Sequence, residues 1–367
     1  MNNPFKFGEV IGSSKFCNRT EELETLGRHV TNCNKVFLYS ERRFGKTSRV
    51  KLLLSKLDKR QFLCVYVDCW PTHSLAEFTT ALSGAMVKDF LSTVEKAVDL
   101  SEQLFSSVKA VSVKVGPDGI PSYGLDPKKL TTVEKTIEEV LAIPQHTAER
   151  TKKTVVVVLD EIQQIMTYES TAVERHLRSV IQTQGNVAYL FLGSRKHLMK
   201  ELILSESRPL YRAGSHFPLF PISNDHWIPF IKEKFSEAKK TIGDEEIRYL
   251  LEFSESHPNT TQQFCYEVWE SVEPNDAVTK ERIAQSIKMI IKNESAAQGA
   301  SWRELDKAEQ ELLKKLAHKE VVDEPNSETT KALYRKDIVD FDENQVPYVV
   351  DRIQKLWIKE MFPVPSN

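Results

Sequence analysis

The sequence predicts an α/β fold in which helices cover both faces of a parallel sheet. Up to about residue 222, near-continuous aliphatic runs alternate with helical segments, and such runs are typical of strands that are buried on both faces. The runs stand at residues 35–39, 62–68, 154–160 and 187–192, and a fifth strand is expected around residues 216–220. The helical patterns between them stand at residues 48–57, 74–98, 132–148 and 171–184.

One segment departs from this alternation. Residues 111–115 and 120–123 flank the turn sequence Gly-Pro-Asp-Gly, which predicts a β-hairpin. We expect an insertion at the edge of the sheet, near residues 109–125, which is either plain decoration or an interaction surface.

The second half of the chain is mainly helical. Helical patterns stand at residues 225–240, 243–256, 261–272 and 278–294, and a domain boundary is expected near residues 294–300. Helices near 302–317 and 328–336 follow, then a short apolar run at 347–350 and an amphipathic segment at 351–361. Helices followed by a short strand indicate a small winged-helix-like fold, and 367 residues fit two or three domains.

The composition limits the class of protein. The net charge of −2 excludes a basic field over the whole chain, so any patch that attracts nucleic acid is local. The five cysteines lack the spacing of a metal site, which favours free thiols in a reducing cytosol. The N-terminal residues do not resemble a signal peptide, and the longest purely aliphatic run, residues 155–159, is too short to cross a bilayer. We expect a cytoplasmic protein with no membrane partner.

A phosphate-binding loop is predicted between the first strand and the helix that follows it. Gly45-Lys46-Thr47 matches the end of the G-x-x-x-x-G-K-[ST] pattern, in which backbone N–H groups and a helix N-terminus surround phosphates. Lys46 is expected to contact the β- and γ-phosphates and Thr47 to ligate Mg²⁺. A tripeptide alone is a weak signal, so a chance match remains the alternative. The predicted binding residues of the loop are Ser40, Arg42, Arg43, Phe44, Gly45, Lys46, Thr47 and Ser48.

The loop departs from the pattern at its first position. Ser40 stands where the first Gly is expected, and a left-handed conformation there would cost about 1 kcal/mol. This cost would lower affinity without abolishing the site. Arg42 and Arg43 either add positive potential near the phosphates or simply face solvent.

A second motif lies at the end of the strand at residues 154–160. Asp160 is placed to hold Mg²⁺ through water, and Glu161 is placed to polarise the attacking water. Alternatively, the two acidic residues cap the next helix.

With these residues, the chain resembles the archaeal-type P-loop ATPases, on the border of the AAA+ and STAND groups. Members often open with N-P-F-x-x-G and F-x-x-R-x-x-E-L, which correspond to residues 3–8 and 16–23. Their loop tends to read G-P-R-R-x-G-K-T-S, and residues 40–48 keep all of it except the Gly and the Pro. The resemblance implies ATP and Mg²⁺ as cofactors and a three-layer ATPase domain of the AAA+/ASCE type at 1–222. It also implies a helical lid at 223–294 and a winged-helix-like domain at 295–367.

The resemblance also implies further site residues. Ser194 would sense the γ-phosphate at the end of the strand after the Asp160 strand, unless it only ends an ordinary turn. Arg212, with Arg208 as substitute, would reach the nucleotide of a neighbouring subunit, although a surface role is at least equally expected. Pro258 would face the nucleotide or merely start a helix. Asn18 and Arg19 would pack near adenine, unless Asn18 is only a helix cap.

Three functions follow from these expectations. The first is Mg·ATP hydrolysis by the two motifs, coupled to a conformational change. The second is a slow nucleotide-gated switch or scaffold that binds ATP or ADP, associates with itself or with a protein partner, and resembles STAND proteins. The third is a DNA-associated regulator that uses the winged helix, although its charges are mixed. The charged residues there are Lys331, Arg335, Lys336, Asp337, Asp340 and Asp342.

Overall fold

The computed structural model describes residues 2–8, 17, 20–93, 111–115, 121–125, 133–322 and 324–364. The strands are β1 (Lys35–Tyr39), β2 (Phe62–Asp68), β3 (Val111–Val115), β4 (Pro121–Leu125), β5 (Thr154–Asp160), β6 (Val187–Gly193), β7 (Ser215–Pro218), β8 (Val339–Phe341) and β9 (Pro347–Val349). A 3₁₀ helix spans Ile162–Thr167. The α-helices of the described residues are α1 (Thr20–Thr31), α2 (Lys46–Lys56), α3 (Leu75–Thr93), α4 (Val133–Thr151), α5 (Ala172–Ile181), α6 (Lys196–Leu204), α7 (Asn224–Ser236), α8 (Asp244–Ser254), α9 (Pro258–Glu270), α10 (Lys280–Arg303), α11 (Lys307–Ala317), α12 (Glu328–Arg335) and α13 (Arg352–Met361).

The central sheet has five parallel strands in the order β2-β5-β6-β1-β7. The predicted α/β fold is therefore confirmed, including its fifth strand. Asp68 pairs with Asp160, and Tyr39 pairs with Gly193, so the carboxyl ends of four strands meet at one edge. In parallel α/β sheets this edge is where ligands bind.

Both faces of the sheet are covered, because the strands are apolar on both sides. On one face, the ring of Phe191 stacks between Phe37 at 4.5 Å and Tyr189 at 5.8 Å, measured between ring centroids. The buried side chains of α3 and α4 join the same core. On the other side, α1 packs against α2 and β6, with Leu26 and Val30 of α1 buried. The result is a three-layer arrangement with helices on both faces of the sheet.

Outside the sheet, two further strand pairs are antiparallel. β3 pairs with β4 over the residues predicted as a hairpin, and β8 pairs with β9 near the C-terminus. The placement of the first pair as an insertion stays a prediction. The pattern at 347–350 predicted β9 but missed β8, because β8 has only three residues and includes Asp340.

The helices differ from expectation at three points. Residues 294–300, expected at a domain boundary, lie inside the continuous helix α10. Neither proline nor a cluster of glycines interrupts this stretch, so nothing local ends the helix. Helix α9 begins at Pro258 rather than at 261, and α6 was not predicted.

The chain clusters into two compact units. The sheet unit contains residues 20–42 and 46–219, and the helical unit contains the described parts of 1–19, 43–45 and 220–367. Within the helical unit, Phe5 is buried against Phe230 and Phe235, and the backbone N–H of Lys6 donates to the Gln262 side chain at 3.2 Å. The predicted division at 222 and 294 stays a prediction. No described helix is both long and apolar enough to cross a membrane.

Candidate functional site

The lysine of the phosphate-binding loop is buried at the first residue of α2. Lys46 is 4% exposed, and its Nζ donates to Ser40 Oγ at 2.9 Å, to the Glu41 carbonyl at 2.8 Å and to the Ser40 carbonyl at 3.3 Å. The ammonium is thus held by the loop that precedes it. Burial lowers the pKa of Lys46 to about 8, against the opposing effect of Glu161, Asp160 and Glu41.

Ser40 meets the lysine without the expected strain. Its backbone lies outside the left-handed region, which is occupied instead by Arg43 at φ 61° and Gly45 at φ 80°. The loop therefore turns three and five residues after Ser40. Besides accepting from Lys46, the Ser40 hydroxyl donates to the Glu41 carbonyl at 3.0 Å. The expected cost at Ser40 is absent, and its side chain has a role that Gly lacks.

The two motifs meet in a direct hydrogen bond. Thr47 Oγ1 donates to Asp160 Oδ2 at 2.7 Å, although 113 positions separate them in the chain. Asp160 is 5% exposed, and its Oδ1 accepts from the backbone N–H of Glu161 at 2.9 Å. A buried carboxylate beside a hydroxyl is a set of oxygen ligands that suits Mg²⁺.

Glu161 is held in an unusual conformation next to Asp160. Its backbone is left-handed, at φ 52° and ψ 39°, immediately before the 3₁₀ helix. Ser194 Oγ donates to Glu161 Oε2 at 2.6 Å, and Gln163 Nε2 donates to the same oxygen at 2.5 Å. A left-handed non-glycine residue costs about 1–3 kcal/mol and tends to occur at functional sites. The structure thus brings Ser194 and Glu161 together, but Glu161 does not cap the 3₁₀ helix with its side chain.

Residues 43–45 of the loop belong to the helical unit. Arg42 and Arg43 are exposed, whereas Phe44 is buried and packs edge-on against His257, with ring centroids 4.8 Å apart. Ser48, in the first turn of α2, is buried.

The turn before α9 carries its own strain. Glu255 and Ser256 are both left-handed, at φ 48° and 54°. The His257 side chain then caps α9 by accepting from the Thr260 backbone N–H at 3.3 Å, and Pro258 occupies the first turn of the helix. Pro258 therefore starts a helix, and its contact with a nucleotide stays a prediction. Asn18 and Arg19 lie outside the described residues.

The two candidate finger arginines occupy different environments. Arg208 pairs with Glu174, whose side chain is 1% exposed, at 3.2 Å. Burial raises the pKa of the Glu174 carboxyl, and Arg208 opposes this rise. Arg212 is exposed on the loop before β7, is left-handed at φ 49°, and places its guanidinium 5.0 Å from the centroid of the Tyr211 ring. Arg208 is thus tied to its own subunit, whereas Arg212 faces outward.

Sequence reasoning missed two polar side chains of the site. Gln163 is buried beside Glu161, and the Tyr66 hydroxyl donates to Asp160 Oδ2. Neither residue belongs to the motifs. Tyr66 stands two residues before Asp68 in β2, and strand alternation alone would have placed both on one face of the sheet.

The described residues contain no group of three or more His, Cys, Asp and Glu side chains arranged for a metal ion. A cation at Thr47 and Asp160 would therefore complete its shell with water and with oxygens of a bound phosphate, as Mg²⁺ does in nucleotide sites.

Comparison with known proteins gives one family and a set of related folds. The model of a family described as an ATPase domain predominantly from Archaea matches residues 16–264. The structure resembles a Walker-type ATPase of Pyrococcus abyssi, with 17% sequence identity and a TM-score of 0.65 over 97% of this chain and 99% of that chain. No curated protein matched the sequence.

Two proteins of Aeropyrum pernix share the fold less closely. The ORC2 protein, solved with ADPNP and ADP, has 10% identity and a TM-score of 0.53 over 99% of this chain and 98% of that chain. The ORC1 protein, solved in complex with DNA, has 14% identity and a TM-score of 0.50 over 94% and 93%. At these identities the likeness establishes the α/β fold and nothing finer.

Proposed function

Because the chain belongs to the family of ATPase domains found predominantly in Archaea, and is therefore an ATP-hydrolysing enzyme, we propose that it turns over Mg·ATP at the carboxyl edge of its sheet. The observation that carries this proposal is the 2.7 Å hydrogen bond between Thr47 and Asp160. It joins the two halves of a nucleotide site, and its geometry depends on the parallel pairing of the strands.

Each residue has a distinct role in this proposal. The Lys46 ammonium exchanges the carbonyls of its own loop for phosphate oxygens, and Gly45 lets the backbone approach them. Thr47 and Asp160, the latter through water, would hold Mg²⁺, and the ion would supply positive charge against the charge that develops on the phosphates. Glu161 accepts a proton from the attacking water.

Two donors orient the Glu161 carboxylate. Because Ser194 and Gln163 both donate to Oε2, the other oxygen, Oε1, stays available for water. Ser194 also directly follows β6, and its position supports the proposal that it detects the terminal phosphate. A carboxylate held in this way would act as a general base with little reorientation.

We further propose that turnover changes the conformation of the helical unit. Phe44 supports this step, because its ring packs on His257 at the start of α9 while its chain continues directly into Lys46. A shift of the loop on phosphate binding would move Phe44. In a Phe44→Ala variant, protease digestion of the helical unit should lose the dependence on Mg·ATP that we expect in the wild type. Identical digestion of the wild-type helical unit with and without nucleotide would contradict the coupling.

The activity is tested by phosphate release from Mg·ATP in the wild type, Glu161→Gln and Glu169→Gln. Glu169 is a matched control, because it is an exposed glutamate eight residues along the same segment. We expect Glu161→Gln to bind ATP without turnover and Glu169→Gln to retain both. Normal turnover in Glu161→Gln would contradict the role of Glu161 as the acceptor of a proton from the attacking water. Binding without turnover in the wild type would favour a slow switch or an enzyme that needs a partner.

The order of the C-terminal elements supports a winged-helix-like domain, and we propose that its partner is a protein. Helices α11 and α12, the β8–β9 hairpin and α13 follow the order of that fold. Two lysines that DNA would need are already paired, Lys331 with Glu328 at 2.7 Å and Lys336 with Glu309 at 2.6 Å. DNA is therefore the less favoured partner. Affinity for duplex DNA that falls steeply with added salt would reverse this order.

A further inference from the structure

Tyr66 lies outside both motifs, and its hydroxyl donates to the Asp160 carboxylate of the proposed metal site. In β2 it pairs with Val158 of β5, two residues before the pair of Asp68 with Asp160. Paired residues of neighbouring strands point to the same face, and so do residues two apart. The phenol therefore projects toward Asp160 from the adjacent strand. Lys51 of α2 lies over the same ring, with Nζ 5.0 Å from its centroid.

Three donors bond to the two oxygens of the Asp160 carboxylate. Oδ1 accepts from the Glu161 backbone, and Oδ2 accepts from both Thr47 Oγ1 and the Tyr66 hydroxyl. Of the three donors, Thr47 is itself expected to bind the metal. Tyr66 is thus the side-chain donor that fixes Oδ2 without competing for the ion.

We infer that Tyr66 is a positioning residue that holds Asp160 in the orientation required for Mg²⁺, an inference that rests on the proposed function. A hydroxyl can donate its proton while its lone pairs remain available, so Thr47 can keep its bond to Asp160 when it binds a cation. The Tyr66 phenol, which also donates to Oδ2, keeps this oxygen in place when the cation binds.

The size of the effect follows from outer-shell donors in other metal sites. Their removal weakens metal binding about 10- to 100-fold, because the ligand loses its fixed orientation. A phenylalanine at position 66 would keep the ring and lose only the hydroxyl. The change should affect Mg²⁺ and leave the contacts of the nucleotide itself intact.

The experiment measures the affinity for a fluorescent ATP analogue across a Mg²⁺ titration and also in EDTA. The proteins are the wild type, Tyr66→Phe and Tyr168→Phe. Tyr168 is a matched control, because its half-buried hydroxyl bonds to Thr72 rather than to a proposed metal ligand. We expect Tyr66→Phe to raise the Mg²⁺ midpoint about tenfold, with unchanged affinity in EDTA, and Tyr168→Phe to match the wild type.

An Asp160→Asn background gives a second measure. There, Tyr66→Phe should produce no additional shift, because the phenol acts through that carboxylate. An unchanged midpoint in Tyr66→Phe, or an equal shift in Tyr168→Phe, overturns the inference while the proposed function stands. Failure of the wild type to bind the analogue overturns the proposed function first, and the inference with it.

Discussion

Lys46 is a buried cation whose charge changes within the pH range of ordinary assays. With its pKa lowered to about 8, the free protein loses this charge above pH 8, whereas a bound phosphate would retain the proton. We expect the affinity for ATP to fall by up to about tenfold per pH unit above 8. Equilibrium titrations from pH 7 to 9.5 measure it. A Lys46→Arg variant should show a flat profile, because Arg stays charged.

The lowered pKa of Lys46 has the opposite effect on the free energy of unfolding, which rises with pH. Between pH 8 and 10.5 the unfolded chain binds the Lys46 proton and the folded chain does not. Lys46 therefore makes folding more favourable as the pH rises through this window, and below it the full cost of burying the charge applies. An ATP affinity that is constant from pH 7 to 9.5 would contradict the burial of this ammonium.

Ser40 shows what the loop pattern could not reveal. The sequence pattern indicated that Ser40 carries a backbone cost of about 1 kcal/mol, which Gly would relieve. The structure predicts the reverse for Ser40→Gly, since the substitution removes an acceptor of the buried Lys46 ammonium and adds backbone freedom. We expect unfolding of the nucleotide-free sheet unit to become easier by about 1–2 kcal/mol, as measured by urea titration. Ser40→Ala separates the hydroxyl from the flexibility, and a more stable Ser40→Gly would refute the role of the hydroxyl.

Motif residues could be predicted because their spacing along the chain is fixed by the chemistry of phosphate binding. The contact of Thr47 with Asp160 follows from two parallel strands and a helix N-terminus, which the aliphatic runs already indicated. Gln163 and Tyr66 could not be predicted in this way. Alternation along β2 indicates the face on which Tyr66 lies, but the contacts themselves also depend on strand register and side-chain rotamers, which no periodic pattern carries.

At the scale of elements, long apolar strands were predictable and short or interrupted elements were not. Strand β5 is aliphatic from residue 155 to residue 159, whereas β8 has three residues and needs β9 as its partner. Helix α10 continues through Gly299, where composition suggested a boundary. The side chain of Trp357 in α13 lies near this glycine, so tertiary packing supports the helix where intrinsic propensity is weak.

Two glycines at different elements should respond oppositely to alanine. At Gly299, in α10, an added Cβ would meet Arg303 at 3.6 Å and Trp357 at 3.9 Å, which are ordinary contacts. We expect Gly299→Ala to raise the free energy of unfolding by about 0.5–1 kcal/mol. At Gly193, at the end of β6, the Cβ would come within 2.3 Å of Met199 and 2.7 Å of Gln163.

Gly193→Ala should therefore destabilise the protein and displace Gln163 from Glu161, with a loss of turnover. Thermal melts and phosphate release on both variants test the pair. A destabilised Gly299→Ala would show that α10 is not continuous there.

At the scale of the whole molecule, Arg208 and Arg212 are expected to affect different properties. Arg208 should affect the stability of the fold, and Arg212 the activity of an assembly of several copies. We expect Arg208→Ala to destabilise the protein by about 3 kcal/mol, because it leaves the buried Glu174 carboxylate without its counter-ion. Arg212→Ala should melt like the wild type and bind ATP. If Arg212 acts on the nucleotide of a second copy, its loss should lower turnover by about 10³-fold.

Turnover at several protein concentrations, with melting curves for both variants, distinguishes these effects. Wild-type activity that rises more than linearly with concentration supports action on a neighbouring copy. Full activity in Arg212→Ala would assign it an ordinary surface role.

The division of the chain between its two units limits how the protein can be dissected. The chain leaves the sheet unit after Arg42 and returns at Lys46. In between lies Phe44, which is 2% exposed and packs its ring against His257 of the helical unit. A truncated fragment that ends at residue 219 would keep every motif residue but would expose the Phe44 ring to water. If such a fragment failed to bind nucleotide, the cause would be a loop that has lost its conformation, because every motif residue would still be present. Catalysis in this protein is therefore best studied through point substitutions in the intact chain.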